Sequence, residues 1–70
     1  MICFDKTIYH KAAILRACSD YIGLADIRLD EKNGQFCCEI LNPKGDPGQI
    51  ADEFRNYVLN LTVMMGGAVD

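Results

Sequence analysis

The chain is poor in the residues on which most active sites are built. His10 is the only histidine among 70 residues, so no set of nucleophile, base and orienting group is visible that a small fold could bring together. A zinc centre would need carboxylate ligands that nothing here assembles. The four cysteines, Cys3, Cys18, Cys37 and Cys38, contain no C-x-x-C spacing. Adjacent Cys37 and Cys38 on a strand point to opposite faces, and regular strand geometry cannot turn both onto one metal. No apolar run approaches the ~20 residues of a membrane span. The start Met1-Ile2-Cys3-Phe4-Asp5 lacks the basic and apolar regions of a secretory signal. Seven basic residues are scattered through a chain of net charge -3, the wrong balance for a module that neutralises phosphates. Repeats, low-complexity tracts and interdomain linkers are absent as well. These absences lead us to expect one cytoplasmic domain over residues 1–70, not an enzyme, with no cofactor, no metal, no nucleic acid and no membrane partner.

What is present is patterning. Asn33-Gly34 separates two runs of alternating apolar residues, and a two-residue Asn-Gly turn takes the type I′ geometry of a tight antiparallel hairpin. Closing it sets Lys32 opposite Gln35. Leu29 then faces Cys38 and Ile27 faces Ile40 on one side, with Arg28 opposite Glu39 on the other. A slip of one residue would exchange the two faces, so this register assigns one as core and the other as polar. Asp26, Asp30 and Glu31 form an acidic patch on one arm, read as a solvated face because Arg28 interrupts it.

The run Ile2 to Tyr9 is rich in β-branched and aromatic residues and predicts a first strand, ending near Tyr9. From Lys11 the period becomes helical, with Ile14, Ala17, Cys18 and Tyr21 on one stripe and Gly23 placed for a left-handed C-terminal cap. The hairpin spans Ala25 to Leu41. Asp46 then stands as helix N-cap, Pro47 as first helical residue and Gln49 as a side chain reaching back to the cap. The second helix carries Ile50, Phe54, Tyr57, Val58, Leu61 and then Met64 or Met65 on its apolar stripe, and Gly66-Gly67 ends it. Glycine near the helix start at Asp46-Pro47-Gly48-Gln49 is capping and not a phosphate loop, which would need Lys and Ser or Thr.

The order is therefore β-α-β-β-α. We expect an α+β fold of two layers, a three-stranded sheet with two helices on one face, equivalent to a ferredoxin-like plait without its last strand. The first and second strands lie parallel with the third between them. Cys38 falls on the core face and Cys18 on the apolar helix stripe, where thiols act as small hydrophobes, and the four cysteines are expected as reduced thiols. A disulfide framework is the alternative, and it would go with export.

At Phe4-Asp5-Lys6-Thr7-Ile8-Tyr9, followed by a helix carrying Ala12-Ala13-Ile14 and Arg16-Ala17-Cys18, the chain resembles the HxsD-like proteins of His-Xaa-Ser repeat systems. Those proteins show a similar opening before their first helix, an acidic hairpin, and a last helix with a Phe near its start, where this chain has Phe54. His10 stands where that pattern has a Ser-like helix cap, with Thr7 as the substitute. The resemblance implies an accessory protein encoded with radical enzymes that modify a repeat peptide, and it transfers no catalytic residue.

The function expected is a non-catalytic accessory or adaptor domain, a homodimer, that binds a protein or peptide partner. Its contact surface would be an open sheet edge or the late apolar surface at Tyr57, Met64 and Met65. The alternative is a small cysteine-based redox or metal-handling protein using an exposed thiol such as Cys37 or Cys3.

Overall fold

In the computed structural model, which describes residues 1–66, strand β1 (Ile2–Asp5) leads to helix α1 (Lys11–Asp20), strands β2 (Asp26–Lys32) and β3 (Gln35–Leu41), and helix α2 (Pro47–Met64). The sheet order is β1-β3-β2. β3 is antiparallel to both neighbours, so β1 and β2 run parallel with β3 between them, as the crossover predicts.

The hairpin register agrees pair for pair with the one counted from the turn: Lys32 opposite Gln35, Leu29 opposite Cys38, Arg28 opposite Glu39 and Ile27 opposite Ile40. Asn33 and Gly34 have φ of 45° and 80°, the left-handed pair a type I′ turn requires. β1 adds on the other side, Phe4 opposite Phe36 and Ile2 opposite Cys38.

Ile2, Phe4, Phe36 and Cys38 on one sheet face close over Ala13, Ile14 and Ala17 of α1 and Phe54, Val58 and Leu61 of α2 in a single buried cluster. Both helices therefore cover the same face. Aromatic rings run through this core edge to face, Tyr9 on Phe4 at 4.9 Å between centroids, Phe4 near Phe54 at 6.2 Å and Phe54 on Tyr21 at 5.4 Å, an arrangement that adds directional stabilisation to area burial. Phe54 is fully buried.

Three local expectations are corrected. β1 stops at Asp5 and not near Tyr9, because the Asp5 carboxylate accepts from the Thr7 N–H at 2.8 Å and the Thr7 hydroxyl at 2.7 Å, a local turn that competes with the strand. Gly23 does not adopt the left-handed conformation. α1 ends instead through a capping turn at Tyr21, whose N–H donates to the Ala17 carbonyl. At α2, Asp46 does cap, accepting from the Gly48 N–H at 3.2 Å, and Pro47 is the first helical residue. Gln49, however, donates forward to Glu53 at 3.3 Å and not back to the cap.

Candidate functional site

The Phe4-Asp5-Lys6-Thr7-Ile8-Tyr9 segment forms a tight turn that joins sheet to helix. The Asp5 carbonyl accepts from the N–H groups of Ile8 and Tyr9, and hydrogen bonds from the Thr7 hydroxyl and N–H hold the Asp5 carboxyl below the usual carboxylate range. Lys6 donates its backbone N–H to the Gly34 carbonyl at 2.9 Å, lies over the Phe36 ring at 5.2 Å and reaches Glu31 at 3.4 Å. Lys11, at the start of α1, grips the same Glu31 carboxylate. The two ammonium groups hold the Glu31 carboxyl below its ordinary range. Glu31 thus belongs to a three-element clasp, while Arg28 pairs with Glu39 at 2.8 Å on the outer face as read from the hairpin. Asp30 contacts Lys32 at 3.6 Å, and Asp26 accepts from the Asn42 side chain at 3.2 Å.

His10 occupies the N-cap position of α1 without making a side-chain cap, and its Nε2 is buried without a hydrogen-bond partner. Neither another titratable side chain nor a thiol is paired with it among the described residues.

The structure separates the three residues expected as a contact surface. Tyr57 lies on the seam between the helices, donating its hydroxyl to Asp20 and tilting against Tyr21 at 5.5 Å. That bond raises the Tyr57 pKa, since the phenol must keep its proton to donate. Met64 ends α2 and is 78% exposed, and Met65, the C-cap residue, is 39% exposed. Both methionines therefore point away from the core, where one was expected to face it. The buried residue on that turn is Thr62, which the apolar stripe did not include. Gly66 follows with φ 111°, and Gly67 lies outside the described residues.

The cysteines depart most from expectation. Cys3 and Cys37, directly opposed on β1 and β3 with Cα atoms 4.1 Å apart, are joined as a disulfide on the outer sheet face. Cys18 and Cys38 are free thiols, the first half-buried and the second fully buried, as expected of core cysteines. The neighbouring Cys38 thiol lowers the Cys18 pKa, and the Cys18 thiol, together with burial, raises that of Cys38. Nothing in the spacing of the cysteines announces the disulfide. Only the β1–β3 register does, and no short turn connects those strands. Among the described residues no three His, Cys, Asp or Glu side chains converge as a metal set, and no helix is long and apolar enough to cross a membrane.

Residues 4–63 match the family model described as His-Xaa-Ser system protein HxsD. The chain belongs to the HxsD family. The match begins at Phe4 and ends at residue 63, so the opening turn, α1 and all of α2 but its last residue in this HxsD-family chain fall inside it. No curated protein and no solved structure matches the chain. The motif that carried the resemblance is accounted for by folding contacts: Phe4 fills the core, Asp5 and Thr7 build the turn, Lys6 joins the Glu31 clasp, and Tyr9 packs on Phe4.

Proposed function

We propose that this HxsD-family chain is a non-catalytic accessory or adaptor domain of the His-Xaa-Ser system, acting as a homodimer that binds a protein or peptide partner. The observation that carries the reading is the flank of β2, seven residues long and, among the described residues, hydrogen-bonded to β3 on one side only. An added strand gains main-chain hydrogen bonds there with little demand on side-chain identity, which suits a repetitive peptide. The exposed end of α2 at Met64 and Met65 supplies a second apolar contact.

Titration of the pure chain with a synthetic His-Xaa-Ser repeat peptide, read by calorimetry and by amide exchange, tests this. Saturable heat with slowed exchange along Asp26–Lys32 is the expected result, and Met64→Asp with Met65→Asp should weaken the binding. Absence of heat and of protection, with the peptide and with the other proteins of the system, overturns it.

The second reading, a small cysteine-based redox or metal-handling protein, is favoured in its redox half by one observation. The Cys3–Cys37 disulfide lies on one face of β3, and the Cys38 thiol on the other, in the core cluster against which Cys18 of α1 packs.

A further inference from the structure

All four cysteines meet at β3. Cys37 and Cys38 are consecutive, so the pleat sends one side chain outward and the other inward. The outward sulfur is bonded to Cys3 of β1. The inward sulfur, on a residue with 0% exposure, sits in the core cluster against which Cys18 of α1 packs. A bonded pair and a thiol pair thus lie back to back across one strand, and a route from solvent exists only to Cys18 of the inner pair.

We propose that Cys18 and Cys38 form a two-electron thiol–disulfide couple, with Cys18 as the attacking thiol, Cys38 as the resolving thiol, and a low-molecular-weight disulfide of the oxidised-glutathione class as oxidant. The Cys18 thiolate attacks one sulfur of that disulfide. The S–S bond breaks, a bond forms between Cys18 Sγ and the attacked sulfur, and the first small thiol leaves. Cys38 Sγ then attacks Cys18 Sγ, the mixed disulfide breaks, and the second small thiol leaves. Two protein thiols are oxidised, one external disulfide is reduced, and the protons of Cys18 and Cys38 end on the two released thiols. Accessibility assigns the roles, because the attacking sulfur must meet a solute and the resolving sulfur must not. The thiolate of Cys18 is favoured by the neighbouring Cys38 thiol. The oxidised couple would tie α1 to β3 from inside, as Cys3–Cys37 ties β1 to β3 from outside. This inference stands apart from peptide binding, and neither test decides the other.

The full chain, with its outer bond formed, is incubated with oxidised glutathione, quenched with iodoacetamide and weighed intact. The expected result is a loss of two hydrogen masses and of both alkylation sites, with one non-reduced tryptic species joining Met1–Lys6, Ala17–Arg28 and Asn33–Lys44. Cys38→Ser should stop at one glutathione on Cys18, and Cys18→Ser should take up none at Cys38. Cys37→Ser, which leaves the inner pair untouched, should still lose the Cys18 and Cys38 thiols. Far-UV circular dichroism and the urea midpoint of each variant establish that it is folded. Two thiols persisting in the folded wild type, or a mixed disulfide that Cys38 never resolves, overturns the couple. So does a wild-type loss that disappears in folded Cys37→Ser.

Discussion

Among single residues, Glu31 and Asp5 do the most that their neighbours in sequence would not foretell. Glu31 has the parity of Leu29 and Ile27, the core face, yet it lies at the rim, where Lys6 and Lys11 can reach it. Asp5 ends a strand that propensity alone would extend. Both carboxyls are held below their ordinary range in the folded chain. A group with a depressed folded pKa contributes stability that is present above its unfolded pKa and lost as pH falls through the folded value. Urea midpoints followed downward from neutral pH should therefore fall below the ordinary carboxylate range. Glu31→Gln should lower the midpoint at neutral pH and converge with the wild type in acid, and Asp5→Asn should do the same. A difference that stays constant with pH would mean that neither carboxylate contributes through its charge.

Among elements, β1 depends most on its surroundings. It is four residues long and stands at a sheet edge, held by its ladder to β3, by Ile2 and Phe4 in the core, and by the Cys3–Cys37 bond. That bond closes a sequence separation of 34 residues, and cross-links of this kind stabilise chiefly by restricting the unfolded chain. Replacing both cysteines, Cys3→Ala with Cys37→Ala, should lower unfolding stability by about 2–4 kcal/mol in non-reducing urea titrations. Dithiothreitol should bring the wild type to a similar midpoint. An unchanged midpoint would show that the ladder and core alone hold the strand. α2, in contrast, follows local rules closely: Asp46 caps it, Pro47 starts it, and Ile50, Phe54, Val58 and Leu61 bury one stripe.

For the whole molecule the governing fact is asymmetry. Two helices shelter one sheet face, while the other carries Arg28–Glu39, Asp30–Lys32 and the outer disulfide. A short chain with one uncovered sheet face and two edge strands, β1 and β2, has an incentive to pair, because unpaired strand groups template another strand. On the proposed reading, sedimentation equilibrium should give twice the chain mass. A single chain mass at high concentration removes the homodimer.

By itself the sequence determined several features that close over a few residues. The Asn33-Gly34 turn fixed the β2–β3 register, Asp46-Pro47 fixed the start of α2, the helical period fixed which side of each helix is buried, and the opening motif carried the family resemblance. Contacts between segments far apart in the chain were decided only by the tertiary structure. These include the β1–β3 register and with it the Cys3–Cys37 bond, the grip of Lys6 and Lys11 on Glu31, the Tyr57 hydroxyl on Asp20, and the meeting of Cys18 with Cys38. The physical reason is that a turn of two residues leaves its flanking strands one way to pair. Elements joined through a helix are placed by the shape of the common core, which no local pattern records.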